Sequence, residues 1–177
     1  MKSEKRNKLT LVLFTVYILV LTGIILFKLP FKFELSDGIR VINLIPFQGS
    51  FDYNGVFNSR EIIDNVLLFI PLGVYIGMLK SKWSFARKVL PAIGLSLLFE
   101  AIQFIFAMGR ADITDILGNT LGGIIGIGIE ALLFTIFKNR TTKIINILAL
   151  VLTVCAVSYI AYLFFLSHFS MGRPPRP

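Results

Sequence analysis

Charge-poor apolar stretches divide this chain into five segments: Leu9–Phe27, Ile62–Leu79, Val89–Met108, Ile113–Phe137 and Ile144–Leu166. Each approaches the about 20 residues that a helix needs to cross a bilayer. The pattern predicts an all-α fold, a polytopic membrane helix bundle of about five transmembrane helices. Nothing between the segments is long enough for a second soluble domain, so residues 1–177 read as a single membrane domain. The turns around Lys80–Lys88 and Lys138–Lys143 are short, which makes antiparallel neighbours of the helices they join. Residues 28–61 form the one long connection. Its text VINLIPFQGSFDYNGVF has neither a helical nor an alternating period, and Pro46 interrupts regular hydrogen bonding. Phe47, Phe51, Tyr53 and Phe57 suit the lipid–water boundary, so an interfacial or re-entrant element is expected there. Residues 167–177, ending MGRPPRP, read as a disordered tail.

Local signals refine the segments. Pro71 and Gly73 in FIPLG predict a bend or a locally opened helix in the second. The third is expected to begin near Pro91. The fourth starts at DITD, where Asp112 can cap the helix and Asp115 can sit in its first turn. Capping alone would account for both acids. Gly118, Gly122 and Gly126 recur every fourth residue, broadened by Gly123, and form a smooth helix face on which another backbone can pack. No larger repeat, and no inverted repeat of the transporter kind, is visible.

Composition strengthens the membrane reading: 55% of residues are hydrophobic, 17 are Phe and 16% are charged. The net charge of +8 is no nucleic-acid footprint, because the basic residues sit in short runs between apolar segments. Placing the N-terminus in the cytoplasm puts 11 of the 18 basic residues inside, from Lys2, Lys5, Arg6 and Lys8 to the two basic turns, with only Glu4 among acids. The positive-inside rule therefore gives N-in and C-out. The first segment resembles a signal sequence at its start. It is too long for a typical h-region and lacks a small-x-small site before Lys28, so it reads as an uncleaved helix. Cys155 is the single cysteine, which excludes an intrachain disulfide, and His168 is the single histidine, which excludes multi-histidine metal ligation.

Glu100, near the middle of the third segment, marks the candidate site. A carboxyl at bilayer depth costs roughly 2.5–3.5 kcal/mol on insertion scales and needs a partner, a hydrated cavity or a neutral form. Ser96, Glu100 and Gln103 share a helix face, Arg110 follows in the turn GRAD, and Asp112, Asp115 and Asn119 form a second stripe. Glu61, Asp64 and Asn65 occupy the mouth of the second segment. Asn65, Glu100, Gln103, Arg110, Asp112, Asp115 and Asn119 together read as a polar cleft open toward the outer leaflet.

Several chemistries fit this set. Arg110 could neutralise Glu100 or bind a phosphate or carboxylate. Glu100, Asp112 and Asp115 could hold a hard cation. Glu100 could act as a general base. A purely structural ion-pair and amide network is equally compatible. Nucleophile, P-loop and HExxH signatures are absent, and the residues call for no cofactor. Glu130, the comparable charge in the inner half, is expected to pair with Lys138 or a neighbouring helix.

NLIPF at 43–47, REIIDNVLLFIPLG at 60–73, FEAIQFIF at 99–106 and DITDILGNTLGGIIG at 112–126 occur in an order that resembles the VanZ-like family of small bacterial membrane proteins. The four pieces lie within about half the chain; the first and fifth segments match only in hydropathy. The resemblance implies a multi-pass protein of the bacterial plasma membrane with a role in resistance to teicoplanin, a glycopeptide bearing a fatty acyl chain. It transfers no catalytic residues. Its implied partners are membrane lipids and either a lipoglycopeptide or a lipid-linked cell-wall precursor. Two alternatives stand beside drug or lipid recognition: an enzyme that modifies such a precursor through Glu100 with Asp112 or Asp115, and a non-catalytic membrane partner of another protein.

Overall fold

The computed structural model describes residues 2–27, 40–51, 55–107 and 110–170. Lys28, Lys32, Glu34, Asp37, Asp52, Tyr53, Met108 and the end of the tail from residue 171 lie outside the described residues, as do the side chains of Lys2, Glu4, Lys5, Arg6 and His168.

Five α-helices make up most of the described residues: α1 (Lys2–Phe27), α2 (Arg60–Leu79), α3 (Phe85–Ile105), α4 (Ile113–Phe137) and α5 (Thr141–Ser170). Among the described residues four stretches are long and apolar enough to cross a membrane: Lys8–Leu26, Arg60–Leu79, Phe85–Ile105 and Ile113–Cys155. The fourth is 43 residues long because hydropathy runs on through the junction of α4 and α5. The backbone breaks there nonetheless. Lys138 adopts a left-handed φ of 49°, and Thr141 Oγ1 donates to the Leu133 carbonyl at 3.0 Å, closing the turn.

Sequence and structure part at several points. α3 begins at Phe85, six residues before Pro91, so this proline lies inside the helix and withholds an N–H from the first turns only. Within α2, which runs to Leu79, Pro71 keeps the interior position expected of it. The all-α expectation misses two short strands, β1 (Val41–Asn43) and β2 (Arg110–Asp112), which pair in parallel with Asn43 opposite Asp112. Three residues per strand are too few for any alternating pattern to show. Of the two partners expected for Glu130, Lys138 or a neighbouring helix, it meets the helix: its side chain lies over Gly77 of α2.

α2 and α4 form the most extensive helix pair. Their seam is made by glycine on both sides: a Cβ on Gly73 would collide with the Gly123 carbonyl, one on Gly122 with the Val66 carbonyl, and one on Gly126 with the Ile70 carbonyl. Such close backbone approach is how helices gain contact in lipid, where hydrophobic burial offers no drive. Gly118 is more loosely placed, its nearest neighbour being Asn65 Cβ at 3.4 Å. Beside the seam, Phe69 and Phe99 meet edge-on with centroids 6.4 Å apart in a core shared with Leu21, Leu72, Ile76 and Ala92. α5 joins the bundle beside α1, where Thr10 and Asn146 exchange hydrogen bonds of 3.2 and 2.9 Å. Outward faces remain apolar, with Leu19, Leu98, Leu132 and Leu152 at least half exposed, as a lipid-facing surface requires.

Candidate functional site

The end of α3 and the starts of α2 and α4 meet at one end of the bundle, and the strand pair ties the 40–51 segment onto them. Asp112 is the centre. As N-cap of α4 its Oδ1 accepts the Thr114 backbone N–H at 2.8 Å, satisfying an otherwise orphaned donor. Its Oδ2 accepts from Asn43 Nδ2 at 2.8 Å, and its own backbone N–H donates to Glu100 Oε2 at 2.9 Å. One residue thus links α3, α4 and β1. Glu100 is only 6% exposed, so its carboxyl is held by a backbone dipole inside the bundle.

The remaining candidates divide between this centre and its flanks. Asn65 donates to Asp115 Oδ1 at 2.8 Å, joining α2 to α4 one turn below the cap. Asn119, a further turn down, donates to Ser96 Oγ at 2.8 Å, and both are buried. Asn119 Oδ1 is buried without a hydrogen-bond partner. Gln103 turns the other way and donates to the Ile25 carbonyl of α1 at 3.1 Å. Arg110 is exposed on β2, its Nη1 beside Gly49. Arg40, also exposed, donates to the Ile105 carbonyl at 3.2 Å. Carboxylate acceptors thus lie inside the cluster, with exposed guanidinium groups at its rim. Among the described residues no group of three acidic, cysteine or histidine side chains is gathered closely enough to hold a metal ion.

A roof covers this centre. The Phe47 N–H donates to Thr114 Oγ1 at 2.9 Å, with Phe47 in the left-handed region at φ 65°. Gly49 follows over Asp112: a Cβ there would stand 2.8 Å from Asp112 Oδ2 and 3.1 Å from Arg110 Nη1, so only glycine lets the segment lie this low. Leu44, Ile45, Phe47 and Phe51 on the same segment are exposed. Asn43, Gly49 and Thr114 are the site residues that sequence reasoning passed over. Asn43 opens the NLIPF motif and Thr114 lies within DITD, so both were within view as text. Their roles depend on the pairing of β1 with β2, a contact between residues about seventy positions apart that no local pattern reports. The polar residues are mostly buried and roofed; a cavity of about 450 Å³ lies instead at the start of α2, lined by Val56, Phe57, Asn58, Arg60, Ile63 and Asp64 among others.

The VanZ/LLP1 family model matches residues 14–138, a stretch that runs from the middle of α1 through the end of α4 and takes in both strands and every residue of this cluster. The chain belongs to the VanZ/LLP1 family. A relative called Protein VanZ, from Enterococcus faecium, is 38% identical over 122 residues, covering 68% of this chain and 72% of the relative. No solved structure matches.

Proposed function

We propose that this protein lowers the susceptibility of a bacterial cell to lipidated glycopeptides such as teicoplanin, by recognising the drug or a lipid-linked envelope component where Glu100, Asp112 and Asn43 meet. In this reading the protein is multi-pass in the plasma membrane, N-in and C-out, and the cluster faces outward. The basic turns at 80–88 and 138–143 lie at the opposite ends of α2, α3 and α4 from the cluster, in keeping with the positive-inside rule. The observation that carries the reading is the adjacency of two surfaces. A buried set of hydrogen-bond acceptors lies directly beneath a segment that exposes Leu44, Ile45, Phe47 and Phe51 at the end of membrane-length helices. A polar head and an acyl tail would find complementary partners side by side.

The test compares cells with and without the protein against acylated and non-acylated glycopeptides. Protection is expected against the acylated drug alone. Glu100→Gln retains an acceptor for the Asp112 N–H but cannot ionise, and is expected to accumulate normally while losing protection. Protection undiminished by Glu100→Gln, with Glu100→Leu failing to accumulate, would reduce the carboxyl to scaffolding. Mass spectrometry of cell-wall precursors supplies the other arm: a new, protein-dependent species would replace recognition by chemistry on the precursor.

A further inference from the structure

We propose that the cavity at the start of α2 is a binding site for the headgroup of a zwitterionic aminophospholipid, separate from the Glu100 cluster and independent of the resistance reading. Arg60 is both the first residue of α2 and the first of its membrane-length stretch, so the cavity sits at the depth of lipid headgroups. Its size, about 450 Å³, accommodates a phosphoethanolamine group.

Its lining carries two opposite charges one helical turn apart. Arg60 Nε and Asp64 Oδ2 are 4.0 Å from each other, with the side chains 71% and 54% exposed. An exposed pair at that distance is held weakly, so a ligand's charges can take the place of each partner's. A phosphodiester fits the planar guanidinium. The primary ammonium two carbons away fits the Asp64 carboxylate, which can accept its N–H groups.

The walls fit the rest of a lipid. Val56, Phe57 and Ile63 are apolar and exposed, and Leu67, one turn beyond Ile63 on the same face of α2, extends the apolar track into the membrane. Phe57 is fixed edge-on against Phe47 and Phe51, with centroids 6.5 and 5.4 Å apart, and Asn58 is anchored by its N–H to the Ser50 carbonyl at 2.7 Å. The groove is therefore braced by the roof segment. Exposed Glu61, beside Arg60, adds a second negative charge and disfavours an anionic headgroup that lacks an amine.

The full-length protein in detergent is offered equal amounts of dioleoyl phosphatidylethanolamine, phosphatidylcholine and phosphatidylglycerol, and the lipid retained is read by native mass spectrometry. Phosphatidylethanolamine is expected to be retained several-fold over the other two, because methylation removes the ammonium N–H groups and glycerol removes the positive charge. Asp64→Asn is expected to abolish that preference, and Arg60→Gln to lower retention of all three, with melting temperatures unchanged because both side chains are exposed. Equal retention of the ethanolamine and choline lipids by the unaltered protein would overturn the proposal without reference to any variant. So would a preference that survives Asp64→Asn.

Discussion

Gly126 gives the sharpest test of how this bundle is held together. A methyl group added there would overlap the Ile70 carbonyl and stand 2.9 Å from the Val74 nitrogen and 3.0 Å from Gly73 Cα, all backbone atoms that no rotamer change can clear. The two helices must separate, and overpacking of this kind costs about 1–3 kcal/mol. Gly128, on the same helix two residues on, has nothing within 4 Å of its added Cβ. Gly128→Ala is therefore expected to stabilise by about 0.5–1 kcal/mol through helix propensity alone. The two alanine variants should differ by about 1.5–4 kcal/mol. Unfolding by SDS in mixed micelles, followed through the fluorescence of the single tryptophan, Trp83, measures this directly. Gly73 lies across the seam from Gly126, so the two alanines together should cost less than their sum, the helices having already moved apart. Gly126→Ala and Gly128→Ala variants lying within about 0.5 kcal/mol of each other would refute the seam as the source of cohesion.

Three further outcomes follow from individual hydrogen bonds. Asn43→Ala leaves Asp112 Oδ2 without its amide donor, which is expected to cost about 1.5–3 kcal/mol and to raise the rate of proteolysis within residues 44–51. Thr10→Val breaks both bonds to Asn146 and is expected to lower stability by about 1.2 kcal/mol, twice the usual size of an interhelical hydrogen bond in membranes, read in the same SDS titration. Asn119→Leu removes the bond to Ser96 together with a buried acceptor that has no partner, so its thermal stability should stay within about 1 kcal/mol of the parent.

The helices and their residue content were legible in the chain because both depend on local quantities. A run of apolar residues long enough to cross lipid must close its backbone hydrogen bonds internally, and so becomes a helix whatever its neighbours are. The cap at Asp112 could be read for the same reason: its partner, Thr114, is two residues away. Tertiary structure decided what each polar side chain does. Glu100 and Gln103 share a face, yet one holds α4 through Asp112 and the other holds α1 through Ile25, because different helices flank that face at different heights. Gly73 also forms half of a seam that the FIPLG motif does not announce, since the residue that needs its missing side chain lies fifty positions on, in α4. The roof over Asp112 exists only because β1 and β2 pair across the bundle end, where backbone N–H donors and C=O acceptors of the two short strands satisfy one another. Spacing along the chain sets which groups can share a helix; only the packing of helices and the pairing of β1 with β2 bring Asn43 and Glu100 within hydrogen-bonding distance of Asp112.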